Sequence, residues 1–381
     1  MHNNAVDQLV KAYISRSALL NNIRMIQKAA AGVPVCAMVK GSAYGHDAAL
    51  VVQALRGAGI AFWGTATLNE ALELRALKLR EPILVMRPLT LHEPEREIAG
   101  QIKLMRRLGI RPTIVNSETF RLIAGTAAPG AGPLCAHVKV DTGMSRNGCP
   151  PEELPAILEE ARATRGLRIE GIFSHFSCAD DRRLDCARKQ LARFTSVITG
   201  KAGRSIKITH MANSGAIFRM PQARFDMVRP GRAIYGYGLP FADKDSERLA
   251  PVMRIEAPLL ATRWIKKGSA CGYGCTYRMR RATRIGLLPL GYADGYSRRW
   301  SNAGAVDFEG RLAPVIGRIS MDLTIIDVTS IPEAQTGSAI CVLSNRREAP
   351  HSMESMARKL GTIPHEIGCA FGRRIQRVLC D

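Results

Sequence analysis

From residue 35 onward, short apolar runs alternate with stretches whose apolar residues recur at helical spacing. The runs fall at 35–39, 61–64, 83–86, 113–115, 135–140, 169–173, 206–209 and 225–228, and helical patterning lies between them at 48–57, 68–79, 151–163 and 185–198. Eight such strands with intervening helices predict a TIM-like α/β barrel of eight parallel strands rather than an open sheet. After Gly238-Leu239-Pro240 the pattern changes to runs at 252–260, 285–289, 312–319, 323–328 and 339–343, separated by glycine and proline turns, with one helical candidate at 353–359. The expected organisation is a barrel domain over 10–240 and a mainly β domain over 241–381, with residues 1–9 a candidate addition to the second.

Composition supports two cores: 381 residues, 46% of them apolar, exceed what one hydrophobic interior usually serves. Ten cysteines are scattered without zinc-ribbon spacing or disulfide-scaffold density, which fits a reducing compartment. The first residues lack the basic, apolar and small-residue order of a secretion signal, and no apolar segment approaches ~18 residues. A cytoplasmic protein with no membrane partner is expected. The net charge of +21 raises nucleic acid as a partner, with Arg278-Met279-Arg280-Arg281 and Arg298-Arg299-Trp300 as candidate patches. The basic residues are nevertheless dispersed, as on a solvated face, so specific nucleic-acid binding is not expected and attraction of small anions is.

Chemically active side chains collect just after the predicted strands, where a barrel places its active site. Lys40 ends the first run and is followed by Gly41-Ser42-Ala43-Tyr44-Gly45-His46, a setting in which a lysine can form a Schiff base with an aldehyde cofactor. A strand-end lysine reaching solvent is the plain alternative. The stretch from His137 to Gly148 holds Lys139, Asp141 and Arg146; a buried arginine there can donate to a phenolate or carboxylate, or the group can be an ion-pair network that shapes a loop. His175 can stack on a planar ring or be a satisfied core residue. His210-Met211-Ala212-Asn213-Ser214-Gly215 offers a hydroxyl and backbone amides at a helix start, suited to phosphate or to ordinary capping. Arg229-Pro230-Gly231 lies past the eighth run, the usual barrel phosphate position, and an arginine facing a pyridine nitrogen would keep that nitrogen unprotonated. In the second domain Tyr273, Tyr292 and Tyr296 are flanked by glycines, as turn fillers or as phenols able to exchange protons.

Taken in order, Lys40 through His46, Lys139 through Arg146, Ser174-His175-Phe176, His210 through Ser214, Arg229-Pro230-Gly231, Gly272-Tyr273-Gly274, Gly291 through Gly295 and Gly317 through Asp322 resemble the motifs of the alanine racemases. The resemblance runs from about residue 10 to the C-terminus. It implies pyridoxal 5'-phosphate held by Lys40, with Tyr273 from the partner subunit as the opposing base. It also implies phosphate contacts from Tyr44, Ser214 and Gly231, with Asn213 beside them, and Arg229 at the pyridine nitrogen, oriented by His210. His175 would lie beside the ring, and Arg146 at the phenolic oxygen and the substrate. The Met321 amide would meet the substrate carboxylate across a homodimer, with Asp322 adjacent. Lys139 matches a position often carbamylated in the family, where it would orient Arg146.

A racemase needs acid-base groups on both faces of the α-carbon; by the resemblance Lys40 serves the D-enantiomer and Tyr273 the L-enantiomer. The chain departs from the family pattern at Gly41-Ser42 and at Asp47. Asn147 stands where alanine-specific members carry an apolar residue, and His365 where a tyrosine contacts phosphate. Asn147 keeps a serine or broad-range racemase as the alternative activity. A non-catalytic, cofactor-binding regulatory protein is the alternative of another class.

Overall fold

The computed structural model describes residues 9–89, 95–126, 132–200, 203–239, 241 and 244–381. Parallel ladders join Val35–Met38, Ile60–Thr65, Ile83–Val85 and Ile110–Arg111 in that order, and a second series joins Thr113–Ile114, Leu134–Lys139, Leu167–Phe173 and Ile208–His210. Pro112 divides the fourth strand of the barrel. It has no N–H to donate, so the half before it pairs back to Ile83–Val85 and the half after it forward to Leu134–Lys139.

The eighth expected strand, at 225–228, is reduced to a bridge at Val228, which still closes the ring. The Val228 N–H donates to Pro34 O at 2.9 Å and its carbonyl accepts from Cys36 N at 2.8 Å, while Asp226 N reaches back to Thr209 O at 3.0 Å. Regular pairing cannot extend because Phe225 has a φ of +45° on one side and Pro230 follows on the other. The run Val35–Met38 is buried throughout, as befits a strand covered by helices outside and side chains within. Helices Ala48–Leu55, Leu68–Ala76, Leu154–Ala163 and Asp185–Thr199 stand where the periodicity places them.

Lys11–Ser15 lies inside the sequence-derived barrel boundary but belongs to the other sheet. It pairs antiparallel with Met253–Pro258 (Ala12 opposite Ile255) and parallel with Gln376–Cys380 (Ala12 opposite Arg377). The six-stranded order is Arg311–Pro314, Ala305–Phe308, Ala339–Leu343, Met253–Pro258, Lys11–Ser15, Gln376–Cys380. Both chain ends thus complete one sheet, a long-range pairing that a five-residue alternating segment does not announce. Residues 1–8, part of the expected N-terminal addition, lie outside the described residues, as does Pro240 at the expected boundary. A second sheet orders Ala261–Ile265, Thr283–Leu288 and Thr324–Asp327.

Helix Met353–Leu360 fulfils the expectation at 353–359 and ends at Gly361 in the left-handed region, and Pro364 opens a further helix, Pro364–Ala370. That second helix lies on the lysine loop through a pair of glycines. A Cβ on Gly45 would stand 2.1 Å from Gly368 O, and one on Gly368 would stand 2.9 Å from Tyr44 O. Only bare backbone permits this approach, which brings the β domain's His365 to the barrel mouth.

Candidate active site

Lys40 leaves the end of Val35–Met38 through an unusual turn. Gly41, Ser42, Ala43 and Tyr44 all have φ between 49° and 61°, and Gly45 follows at 86°. Each non-glycine residue costs about 1–2 kcal/mol in this left-handed conformation. Hydrogen bonds from Ala43 N to Val39 O (2.8 Å) and Gly45 N to Gly41 O (3.0 Å), full burial of Ala43, and Glu70 accepting from Gly41 N at 2.7 Å hold the turn. Strain concentrated beside one lysine makes it a candidate functional position.

The cavity beside Lys40 has a volume of about 350 Å³. It gathers Lys40, Tyr44, Lys139, Arg146, His175, Asn213, Ser214, Arg229, Gly231 and His365, so ten sequence-predicted residues from six segments meet in one place. Asn213 caps helix Ser214–Arg219 by accepting from Ala216 N at 3.1 Å, and Ser214 Oγ accepts from Gly231 N at 3.0 Å and Ala233 N at 3.2 Å. Gly231 must lack a side chain, because a Cβ there would fall 2.3 Å from the Tyr44 hydroxyl. Backbone amides, a hydroxyl and a phenol therefore converge on one corner.

Arg229 is buried and donates through Nη2 to Ser174 O at 2.6 Å, while Nη1 lies 2.6 Å from His210 Nδ1. Its fixed donors dictate the tautomers behind it. His210 Nδ1 must accept, so its Nε2 carries the proton toward His137 Nδ1 at 2.8 Å, leaving the His137 Nε2 proton to face Glu170 at 3.8 Å. Glu170 also accepts from Arg111 Nε at 2.9 Å. Burial lowers both histidines below their ordinary range, and contact with His137 and then Arg111 holds Glu170 down at about 2. His210 lies behind Arg229 rather than at the cavity, and His137 and Glu170 form the rest of a backing chain that carried no role in the sequence reading. Paired cationic and anionic residues two apart on one strand, as in Arg168 and Glu170, do not by themselves indicate which face is inside.

The cavity is rich in cations. Burial, then Arg146, lowers Lys40 below the usual lysine range. Lys139, whose amine donates to Asn147 Oδ1, is lowered to about 8 by burial, then Arg146 and Arg229, despite Asp141. Asp141 itself accepts from the N–H groups of Gly143, Met144 and Ser145 at 2.8–3.2 Å, which makes it the loop-shaping residue of its segment. The sign of the Lys139 effect follows from its depressed value. Charging it in the fold costs stability fully below pH about 8, and the penalty fades as pH approaches the ordinary 10.5. Lys139→Met in carbon-dioxide-depleted buffer is therefore expected to stabilise the protein by about 1–2 kcal/mol at pH 7, and by less at pH 9.5, when followed by urea unfolding.

Tyr273, Met321 and Asp322 are not at this cavity within one chain. Tyr273 is 67% and Met321 53% exposed, on a surface of the β domain. They share that surface, since Gly272 packs on the Arg318 backbone, Tyr292 N donates to Ser320 O at 3.1 Å and Ala293 N donates to Met321 O at 3.0 Å. Asp322 pairs with Arg374 at 2.8 Å. The cavity also includes Asp180 and Arg232, paired at 2.9 Å, and Arg87, none of which carried a role in the sequence reading. Arg232 stands in the Arg229 motif, but its inward direction is a property of the folded loop.

Fold and cavity define a two-domain barrel protein with a lysine-centred, cation-rich site suited to an anionic ligand. Models of the alanine racemase N-terminal and C-terminal domains match residues 14–239 and 252–379. Alanine racemase 2 of Caldanaerobacter subterraneus subsp. tengcongensis is 32% identical, over 96% of this chain and 93% of its own length. Alanine racemase of Syntrophobacter fumaroxidans is 35% identical over 94% of each. The structure of alanine racemase from Streptomyces coelicolor A3(2) superposes with a TM-score of 0.88 at 31% identity, covering 100% of both chains. That from Bartonella henselae, with covalently bound pyridoxal phosphate, gives 0.84 at 30% identity over 98% of this chain and 99% of its own. The chain belongs to the alanine racemase family.

Proposed function

We propose that this protein interconverts L-alanine and D-alanine with pyridoxal 5'-phosphate as cofactor. The observation that carries the reading is one cavity that holds, at one point, a lysine beside a strained turn with its proton affinity lowered by burial and, at another, a cradle of amides and hydroxyls.

The residues fit the cofactor. The corner formed by Ser214, Gly231 and the Tyr44 hydroxyl suits a phosphate, and it exists only because Gly231 lacks a Cβ. His365 Nδ1 is buried at the cavity with no hydrogen-bond partner, and burial lowers this histidine to about 4, so it is a neutral group with a polar atom to spare. Arg229, a cation locked by His210, suits the pyridine nitrogen, His175 the ring and Arg146 the phenolic oxygen.

When bound, the cofactor supplies an electron sink for the α-carbon of the amino acid. Lys40 holds the cofactor and, with its proton affinity lowered by burial, takes or returns the α-proton on one face. The partner subunit's Tyr273 serves the other face, which accounts for a phenol left on the surface of a single chain. The Met321 amide reaches the substrate carboxylate by the same route, so the assembly is a homodimer with shared sites. Asp322, fixed by Arg374, supports that segment. Lys139, with a substantial neutral fraction near pH 8, offers the free amine that addition of carbon dioxide requires, and in that form it would orient Arg146. Ten unpaired thiols agree with a reducing compartment such as the cytoplasm.

In deuterated water, pure L-alanine is expected to lose optical rotation while deuterium enters the α-position. A protein that binds the cofactor yet exchanges no α-hydrogen from either enantiomer would be a binding protein instead. Serine turned over with a kcat/KM equal to that of alanine would make it a broad-range racemase, the outcome Asn147 at the cavity leaves open.

A further inference from the structure

Between His175 and helix Asp185–Thr199 the chain forms a loop with a cysteine at each end, Cys178 and Cys186. Ser177 Oγ donates to Cys178 Sγ at 3.5 Å and lies 3.6 Å from Cys186 Sγ, so a single hydroxyl touches both sulfurs. Cys186 is exposed, in the first turn of its helix, while Cys178 is nearly buried. Contact with Cys178, then Ser177, lowers the Cys186 thiol, whereas burial pushes Cys36, Cys149 and Cys341 up to about 12. An accessible, hydrogen-bonded thiol backed by a second sulfur is the arrangement of an attacking and a resolving cysteine.

The loop they bracket belongs to the cavity wall. Asp180 pairs with Arg232 at 2.9 Å, and its Oδ1 occupies the space left by the absent Gly215 side chain, at the helix that presents Ser214. Arg219, from the same helix, grips the loop through the carbonyls of Ala179 (2.9 Å), Asp181 and Arg182 (3.2 Å).

We propose that Cys178 and Cys186 are a reversible dithiol–disulfide site whose closure stiffens the wall of the cofactor cavity. The Cys186 thiolate attacks one sulfur of a small-molecule disulfide, forming a mixed disulfide and expelling one thiolate. Cys178 then loses its proton to solvent and attacks the Cys186 sulfur, expelling the second thiolate. The protein loses two hydrogens, and the small disulfide is reduced to two thiols. With the ends joined, the Asp180 loop has fewer open conformations, so the bound cofactor leaves more slowly.

The test treats the cofactor-loaded protein with oxidised glutathione and follows intact mass, peptide mapping and cofactor release after dilution into a scavenging apoenzyme. Expected are a mass loss of two hydrogens, a peptide cross-linked between Cys178 and Cys186, release slowed about threefold, and reversal by dithiothreitol. Cys186→Ser, at an exposed position that keeps the fold, should show neither the cross-link nor the slowed release. A glutathione adduct that stays on Cys186, or a cross-link between other cysteines, would overturn the site. A correct cross-link with unchanged release would overturn its link to the cavity. Because cofactor retention and mass are read without turnover, none of these results depends on which amino acid is racemised.

Discussion

Lys40→Ala is expected to reduce alanine racemisation by about 10⁴-fold or more, because on the proposed mechanism one residue both holds the cofactor and carries a proton. On the barrier scale this is about 5–6 kcal/mol. The loss should not come from unfolding. Lys40 stands in a partly buried, cation-rich cavity whose burial and Arg146 already disfavour its charge, so removing the amine relieves repulsion. Thermal midpoints equal to or above those of cofactor-free wild type are therefore expected alongside the lost activity, together with loss of the visible absorbance of lysine-bound cofactor. The neighbouring turn keeps its hydrogen bonds to Val39 O and Glu70, neither of which involves the lysine side chain. Substantial racemisation by the purified variant would remove Lys40 from the chemistry.

Tyr273→Phe should lower activity by about 10²–10⁴-fold while leaving stability within about 0.5 kcal/mol. The contrast is diagnostic because Tyr273 is 67% exposed in the single chain, where deletion of one surface hydroxyl has almost nothing to break. A large loss of activity would therefore come from a surface that Tyr273 meets in the proposed dimer. Co-expression of Lys40→Ala with Tyr273→Phe then has a distinctive outcome. Each mixed dimer holds one site with both lesions and one with neither, so a random mixture should recover about a quarter of wild-type activity. Two inactive proteins that stay inactive when assembled together would show that each site is completed within its own chain.

Both expectations rest on residues that the primary structure could indicate, and the reason differs for each. The barrel was legible because its strands are buried on both faces and read as unbroken apolar runs, such as Val35–Met38. Lys40, His175 and Arg229 were legible because they follow such runs directly, and a parallel barrel turns every strand end toward one mouth. Tyr273 stood out only through its flanking glycines and its family motif, since nothing in its own segment states what it faces.

Other features escaped because their signals are non-local. Lys11–Ser15 alternates over too few residues to declare itself, and its partners lie some 240 and 360 residues away in the chain, so its sheet is decided by long-range pairing. The eighth strand shrank to Val228 because backbone conformation at Phe225 and the following proline overrode apolar pattern. Glu170 and His137 sit on neighbouring strands, and only the register of those strands stacks them behind His210 and Arg229. The close approach of Gly45 and Gly368, which delivers His365 from the other domain, likewise required two distant glycines to meet.

The chain by itself thus determined the alternation of elements, the position of the reactive side chains at strand ends and the family of chemistry, since these follow from local periodicity and from residue types adjacent in sequence. Tertiary structure alone decided which cations share the cavity, in which direction each is pulled from its ordinary proton affinity, and which residues, Tyr273 among them, stay on the surface of the single chain. Burial and electrostatic coupling depend on distances through space, and a linear order of residues does not contain them.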